Sequence, residues 1–307
     1  MTIKRIPIGL LILLFSFCLL LSPISVNALD SLNVSTDVTS GTTGDCNWSI
    51  NGTALTIAGH GRMADYSSSK PAPWDISNIT EIFISDGVQN IGNNAFYYGQ
   101  DVTSISVGNS VESIGTDSFY GCRSLVSITL PESVKIIGYG AFGGCSELRE
   151  IIVPDSVTEI GSEAFRWCMS LKKVTIGNHV SSIGYRAFEW CSSLESINIP
   201  SSVTCIGNAV FHECYSLNSI ELPDSVTSIG TTCFANCNAL TDLMIPDSLS
   251  IIERDFCSGC KNLENITIPN SVTEISESAF NGCTVLKIHA YDVYGKIKVH
   301  KRAPKST

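Results

Sequence analysis

The chain has 307 residues, of which 44% are apolar and 16% are charged, and its formal net charge is −10. Soluble domains carry about 25% charged residues on average, so this charged fraction is low. A composition that is rich in apolar residues and poor in charged ones excludes a disordered acidic segment and a coiled coil, because both need many more charged residues.

The first 28 residues have the pattern of a secretory signal peptide. Lys4 and Arg5 form a basic start, a long apolar run follows, and small residues at Val26 and Ala28 stand where a signal peptidase cleaves. The alternative is an uncleaved membrane anchor, for which the run is slightly short, since a membrane span needs about 20 apolar residues. We therefore predict an exported protein, secreted or at the cell surface, with no integral membrane span after cleavage.

Charge is distributed unevenly along the rest of the chain. Because Lys4 and Arg5 are the only charged residues of the first 28, the remainder has 17 basic and 29 acidic residues. Six of those basic residues lie within 287–307, so the body before them is strongly acidic. Such a body repels phosphates, which excludes nucleic acid as a partner. The basic end is predicted to be a solvated tail, with contact to an anionic polymer or membrane surface as the alternative.

Two regions outside the centre of the chain are predicted to cap it. Residues 29–44 are rich in Ser, Thr and Asn and predict a flexible linker. Residues 45–78 alternate polar and apolar residues and predict a β cap, in which a hairpin around Trp48 covers the first coil with Trp74 beneath it. Residues 286–307 predict a pair of closing strands followed by the basic tail.

Between these caps, residues 79–285 contain nine units of a 23-residue repeat. A period between 20 and 50 residues indicates a solenoid of stacked coils. One series of cysteines follows this period: Cys122, Cys145, Cys168, Cys191, Cys214, Cys237, Cys260 and Cys283. A series of phenylalanines follows the same period: Phe96, Phe119, Phe142, Phe165, Phe188, Phe211, Phe234 and Phe280.

Each position of the repeat predicts a part of one coil. The shared pattern is L-x-x-I-x-I-P-x-S-V-x-x-I-G-x-x-A-F-x-x-C-x-x. Leu and the first two Ile predict a short strand that ends at Pro, because proline cannot donate a ladder hydrogen bond. Ser-Val-x-x-Ile predicts a second extended segment, Gly a corner with positive φ, and Ala-Phe with Cys a buried turn or short helical turn. The predicted fold is a repeat solenoid: a right-handed, leucine-rich-repeat-like β-solenoid with short parallel strands and an N-terminal β cap.

The repeated cysteines are predicted to be buried free thiols. Equivalent side chains in adjacent coils are parallel, with Cβ atoms about 4.8 Å apart, whereas a disulfide needs converging side chains with Cβ atoms about 3.8 Å apart. The eighth unit departs from the pattern, because Cys257 takes the phenylalanine position and Glu253 takes that of the corner glycine. This change predicts a weaker C-terminal end, unless the ring of Phe256 fills the space.

The repeat and the cap resemble the BspA-type leucine-rich repeat family. The resemblance rests on the unit IPxSVxxIGxxAFxxCxxL and covers roughly residues 45–286. In the cap it rests on Cys46, Trp48, Leu55, Ile57, Gly59, Gly61, Met63, Asp65, Tyr66, Ala72, Pro73 and Trp74. It implies an exported or surface protein of the kind found in host-associated anaerobic bacteria and some protists, several of which are implicated in adhesion to extracellular-matrix proteins or other cells. The shared residues are the buried ones, so the resemblance specifies the fold more than the partner.

The outward positions of the first strand are predicted to line one continuous surface. Ser, Thr and Asn dominate these positions, with apolar and charged exceptions. The candidate partner-binding residues on this surface are Phe83, Glu150, Ile152, Lys173, Asn198, Glu221 and Met244. The alternative is an ordinary solvated sheet face.

A second candidate surface is aromatic. Trp167 and Trp190 occupy the same position in neighbouring units, just before the repeated cysteine, where four other units have glycine. Arg166, Glu189 and His212 occupy the position before that one. Two stacked indoles beside charged groups are typical of binding hot spots. Local packing against the turn is the alternative.

Catalysis has little support in the sequence. The histidines share no repeated position, and no G-x-S-x-G elbow or phosphate-binding loop occurs. Cys257 and Cys260 form a C-x-x-C, but both stand at core positions and no further ligands follow at metal spacing. No metal or cofactor is predicted, and a thiol redox protein is the weakest hypothesis.

We therefore predict a non-catalytic exported binding protein, an adhesin that recognises host matrix protein or a neighbouring-cell surface through the solenoid face. Its predicted partner is an extracellular protein or cell-surface ligand, and a monomer is favoured slightly over an oligomer. A structural spacer or assembly subunit of the cell envelope is the alternative.

Overall fold

A computed structural model describes residues 39–290 and 298–299. The predicted signal peptide over 1–28 lies outside the described residues, as do most of the predicted linker and most of the basic tail. The described residues belong to one compact unit that begins at Thr39. Within them, no helix has the length and apolar character that crossing a membrane requires.

The described residues form a parallel β-solenoid, as the repeat predicts. Every repeat except the third contributes a strand to a first row, every repeat contributes a strand to a second row, and a tight turn segment closes each coil. The first row consists of β5 (Glu81–Ile84), β7 (Ser104–Val107), β10 (Glu150–Ile152), β12 (Lys173–Thr175), β14 (Ser196–Asn198), β16 (Ser219–Glu221), β18 (Asp242–Met244), β20 (Asn265–Ile268) and β22 (Lys287–Ala290). The second row consists of β6 (Val88–Ile91), β8 (Ser113–Ile114), β9 (Ile136–Ile137), β11 (Glu159–Ile160), β13 (Ser182–Ile183), β15 (Cys205–Ile206), β17 (Ser228–Ile229), β19 (Ile251–Ile252), β21 (Glu274–Ile275) and β23 (Lys298–Val299).

The N-terminal cap is the predicted hairpin with two further strands. β2 (Cys46–Asn51) and β3 (Ala54–Gly59) pair antiparallel, β3 pairs parallel with β5, and β4 (Gly61–Arg62) joins the second row. A 3-10 helix follows over Ile76–Asn78. The Trp74 ring lies 5.7 Å from that of Phe96 and 5.8 Å from that of Trp48, and its Nε1 donates to Ala95 O at 3.0 Å. The aromatic core of the cap therefore continues into the first coil.

The predicted linker is wrong at its C-terminal end. Ser40–Thr43 form a strand, β1, that pairs antiparallel with β2. Thr43 is buried, and its hydroxyl oxygen accepts a hydrogen bond from the Tyr66 hydroxyl at 2.6 Å. Residues that look like a linker by composition are therefore held by pairing and by one buried polar contact.

The C-terminal closing strands take a different arrangement from the predicted pair. β22 pairs parallel with β20, and β23 pairs parallel with β21. Each strand therefore extends one row of the solenoid by one step, which lets the coil geometry continue past the last full repeat.

A column of phenylalanine rings fills the interior. From Phe96 to Phe234, successive ring centroids lie 5.3–5.9 Å apart and the rings are stacked. In the eighth coil Phe256 is 1% exposed and lies edge-on to Phe234 at 5.3 Å. Phe256 thus fills the core space at the coil where Cys257 takes the phenylalanine position.

The predicted free thiols are confirmed. The cysteines of the described residues are unpaired, and the repeated series is buried from Cys122 to Cys260. Each of these thiols donates to the carbonyl oxygen of the phenylalanine one coil earlier, at 3.0–3.5 Å. Burial raises the pKa of Cys122 and of Cys168 to about 12. These two thiols are therefore protonated hydrogen-bond donors in the core rather than reactive groups.

The prediction of positive φ at the corner glycine is wrong. No corner glycine from Gly92 to Gly230 has a positive φ; positive φ occurs instead two and six residues later in every coil. A Cβ at Gly161 would lie 2.5 Å from Ile137 O, and a Cβ at Gly184 would lie 2.5 Å from Ser162 N. The corner therefore needs glycine because backbones of adjacent coils approach closely there.

Both strand rows are interrupted where that glycine is lost, whereas the interruption at the third coil, which keeps Gly138, affects the first row alone. β16 ends one first-row sheet and β18 begins the next, and the second row is divided in the same way between β17 and β19. Glu253 stands at the corner of this eighth coil, whereas Ser276 stands at the corner of the ninth and its N–H donates to Ile252 O at 2.8 Å. The eighth and ninth coils, which both have a side chain at the corner, therefore pair with each other. The interruption lies between the seventh coil, whose corner residue is glycine, and the eighth, whose corner residue is not.

Candidate functional site

The first candidate surface is the outward face of the first strand row. Its candidate residues are all exposed, and Ile152 and Met244 reach 66% and 72% exposure. Glu150 lies opposite Lys173 in register, as Ile152 lies opposite Thr175. Glu150, Ile152, Lys173, Asn198 and Glu221 share the four-stranded sheet β10-β12-β14-β16.

This surface is not continuous along the solenoid. Phe83 lies on the sheet that includes the cap, and Met244 lies on the sheet beyond the interruption. Residues 127–129 of the third coil contribute one isolated bridge, between Ser127 and Glu150, rather than a strand. The structure therefore brings together five of the seven candidates and leaves two on other sheets.

The second candidate surface lies on the turn segments. We call the outer side of these segments the turn face; in the third coil it spans residues 138–148, and it recurs every 23 residues. Trp167 and Trp190 are partly exposed on it, and both have left-handed backbone, with φ of 62° and 64°. Glycine is the residue that adopts this conformation most readily, which explains its presence at the same position in four other coils.

The two indoles contact different neighbours. The guanidinium carbon of Arg166 lies 3.8 Å from the ring centroid of Trp167. The ring of Trp190 meets that of Tyr215 edge-on, with centroids 5.9 Å apart. Among the rings of the described residues, no contact joins Trp167 to Trp190. The stacked pair suggested by the sequence is thus two separate contacts, one cationic and one aromatic.

Glu189 is the centre of a charged cluster between these indoles. Its side chain is 4% exposed; Oε2 accepts from Arg166 Nε at 2.5 Å, and Oε1 lies 3.0 Å from His212 Nδ1. Arg186 Nε lies 3.3 Å from Oε1, an ion-pair distance without hydrogen-bond alignment. On the other side, Arg166 Nη1 donates to Glu163 at 3.0 Å. The cluster therefore joins three coils through one buried carboxylate.

The electrostatics of this cluster favour a charged Glu189. Burial on its own would raise the pKa of the carboxyl, but the hydrogen bond with His212 and the charges of Arg166 and Arg186 outweigh it. The net result is a pKa below the usual value for glutamate. Glu189 is too buried to contact a partner, so its role is to hold Arg166 against Trp167.

The turn face also carries tyrosines that sequence reasoning missed. Five are exposed by 37–46%: Tyr97, Tyr98, Tyr139, Tyr185 and Tyr215. With Tyr120 and the two tryptophans, they form what we call the aromatic band, which runs over the first six coils. Outside the band, Phe83 is the remaining exposed aromatic side chain among the described residues. The signal was available in the sequence, since all eight aromatic residues occupy variable positions between the corner glycine and the next repeated leucine.

The chain matches a known family of repeat proteins. The profile of the BspA type Leucine rich repeat region matches residues 74–193 and 158–287, with six copies of the repeat. The chain belongs to the BspA-type leucine-rich repeat family. The comparison with curated proteins gives no significant match.

Solved leucine-rich repeat proteins are similar to this BspA-type chain. One from Bacteroides ovatus is 26% identical, with a TM-score of 0.66 over 84% of this chain and 77% of the other. One from Eubacterium ventriosum is 24% identical, with a TM-score of 0.48 over 82% and 84%. A leucine-rich cell surface protein from Faecalibacterium prausnitzii is 25% identical, with a TM-score of 0.38 over 82% and 94%.

Membership of the BspA-type family accounts for the core of this protein and leaves its surfaces open. The shared phenylalanine, cysteine and leucine positions are the buried ones. Both candidate surfaces consist of residues at the variable positions of the repeat, which the family pattern does not specify.

Proposed function

We propose that this BspA-type protein is an exported, non-catalytic binding protein of the cell surface, an adhesin that holds a host matrix protein or a protein of a neighbouring cell. The observation that carries the proposal is the aromatic band, in which eight aromatic side chains lie on one face and five of them are 37–46% exposed. Tyr, Trp and Arg are the residues that dominate the energetics of protein interfaces.

The backbone at Trp167 and Trp190 supports a binding role. A residue with a Cβ in left-handed conformation costs about 1–2 kcal/mol relative to the usual backbone, whereas glycine adopts it freely. The repeat tolerates glycine at this position, since Gly121, Gly144 and Gly259 have positive φ there. Tryptophan therefore adds strain that the fold does not need, and strained residues concentrate at functional sites.

The charged cluster supports the same role because it holds the guanidinium of Arg166 in place before a partner binds. Arg166 is held by Glu163 and Glu189 and lies over the Trp167 ring. A side chain already fixed in one conformation loses less entropy when a partner binds. The aromatic band thus offers a preorganised arginine–tryptophan pair at its centre.

Export is supported by the N-terminal sequence. Its basic start, apolar run and small residues before position 29 have the order of a cleaved secretory signal. The acidic composition of the rest supports a protein partner over nucleic acid.

The double variant Trp167→Gly/Trp190→Gly tests the proposal. We expect it to lower capture of at least one of fibronectin, laminin and type I collagen by tenfold or more in surface plasmon resonance, because two central anchors are lost. We expect its melting temperature to change by less than about 4 °C, since relief of backbone strain offsets the lost ring contacts.

The matched control is Phe83→Ser/Met244→Ser, which removes two exposed apolar side chains from the first strand row. Loss of capture in this control, with unchanged capture in the tryptophan variant, would move the binding surface from the turn face to the sheet face. Absence of capture of all three matrix proteins by the mature chain would contradict the adhesin proposal.

A further inference from the structure

A groove with aromatic walls crosses the turn face over the second and third coils. We call it the turn-face groove; its volume is about 480 Å³. Tyr98 and Tyr120 form one wall and Trp167 and Met169 form the other. Such a volume lies within the range of about 300–1,000 Å³ that is typical of small-molecule sites.

Two glycines make the floor of this groove. Gly121 and Gly144 occupy the position that Tyr98 and Trp167 occupy in the coils on either side. A Cβ added at Gly144 would meet only atoms of Gly121, at 3.6 Å, so space is open above it. Tyr98 and Trp167 therefore stand at the same repeat position as the two floor glycines, and the groove lies where two successive coils lack a side chain at that position.

The backbone N–H groups of the floor are not available to an incoming peptide. Gly121 N–H donates to Gly143 O at 2.7 Å, and Gly144 N–H donates to Arg166 O at 2.7 Å. An extended peptide binds such a surface mainly through main-chain hydrogen bonds, which need free backbone groups. Without free N–H groups on the floor, recognition of a ligand in this groove falls mainly to side chains.

One side chain at the groove has a charge without a partner. The exposed guanidinium of Arg123 lies 6.0 Å from the ring centroid of Tyr98 and makes no ion pair among the described residues. Arg166 and Arg186, by contrast, lie against Glu163 and Glu189. In a chain with a formal net charge of −10, an unpaired arginine beside two tyrosines is suited to an anionic group on the ligand.

We propose that the turn-face groove binds a sugar that bears a carboxylate, such as a uronic acid or a nonulosonic acid. The C–H face of a pyranose is apolar and weakly positive, so it packs on the electron-rich faces of tyrosine and tryptophan. The planar guanidinium of Arg123 matches a carboxylate through two parallel hydrogen bonds. The Ser146 hydroxyl, which lines the groove, donates to Arg123 O at 3.4 Å and can still accept a hydrogen bond from a sugar hydroxyl. This site goes beyond the proposed capture of matrix protein, although it shares Trp167 with it.

Isothermal titration calorimetry on the mature chain tests the proposal with four probes. These are 3′-sialyllactose, a hyaluronan tetrasaccharide, lactose as the neutral control and a tetraglutamate peptide as the acidic control that is not a sugar. We expect at least one acidic sugar to bind at least tenfold more tightly than lactose, and which of the two binds identifies the source of the carboxylate. We expect Arg123→Gln to weaken that binding by tenfold or more, because the variant keeps a polar side chain but loses the charge and the paired donors of the guanidinium.

The matched control is Arg149→Gln, which removes the same charge from an exposed arginine outside the groove. Binding should be unchanged in this control. Equal binding of lactose, absence of binding by both acidic sugars, equal loss in both arginine variants, or equally tight binding of a tetraglutamate peptide would each overturn the proposal. Capture of matrix proteins by Arg123→Gln separates the two proposals, because that capture depends on Trp167 and Trp190 and should persist in this variant.

Discussion

Replacing Phe188 with alanine should lower the free energy of unfolding by about 3–5 kcal/mol, the range for loss of a buried ring. Phe188 is fully buried, and its ring lies between those of Phe165 at 5.3 Å and Phe211 at 5.9 Å. The cavity cannot be filled by a shift of the neighbours, because each neighbouring ring is already stacked on the next one along the column. Urea unfolding followed by circular dichroism measures the effect.

The shape of the unfolding curve is a second measure of the effect of Phe188→Ala. Coils of a solenoid contact only their neighbours, so a defect in the fifth coil weakens the coupling between the two sides. We therefore expect the single transition to broaden or to separate into two. Tyr185→Ala is the control, because that ring belongs to the same coil and is 39% exposed. Equal destabilisation by the two variants would contradict a buried column of rings.

Replacing Gly184 with alanine should lower the free energy of unfolding by about 1–3 kcal/mol, the range for an overpacked core. The added Cβ would lie 2.5 Å from the backbone nitrogen of Ser162, which cannot move without breaking the coil beneath it. The effect has the opposite sign from the usual gain of about 0.4–1 kcal/mol on replacing glycine by alanine at an unstrained position. The same urea experiment measures it.

Ser276→Ala is the matched control for the glycine variant. Ser276 stands at the corner of the ninth coil and already has a Cβ there, so the substitution adds no atom toward the eighth coil. We expect a change of less than about 0.5 kcal/mol. An unchanged or increased stability of Gly184→Ala would show that close approach is not the reason for glycine at the corner.

The core was predictable because the period and the residue type point to the same positions. Phe96 to Phe234 and Cys122 to Cys260 recur every 23 residues, and large apolar side chains at such positions can be buried only if the coils stack. The free thiols followed from the spacing between coils, which is too wide for disulfides.

The corner glycine was misread because glycine serves two purposes that look alike in a sequence. Gly161 and Gly184 allow close approach of backbones, whereas Gly121 and Gly144 adopt positive φ. Other coils adopt the same positive φ at that position with residues such as Glu213. The residue types therefore do not show which positions of this chain have a positive φ, and the backbone angles of the structure are needed to identify them.

The positions of the candidate surfaces could be predicted from the sequence, whereas the contacts between their side chains could not. Outward strand residues such as Ile152 follow from alternation alone. The burial of Glu189 does not, because it depends on partners 23 residues away on either side, Arg166 and His212. The separation of Trp167 from Trp190 likewise depends on side-chain orientation, which the repeat pattern does not specify.

The most direct test of the central claim, that identical coils stack into one dry core and leave only outer side chains to bind partners, is a map of thiol reactivity. Native protein would be treated briefly with iodoacetamide, unfolded, and each cysteine assigned by mass spectrometry. We expect rapid labelling of Cys205, the one exposed cysteine among the described residues, and protection of the series from Cys122 to Cys260 in reduced form. Rapid labelling throughout that series, or disulfides between its consecutive members, would contradict the stacked core.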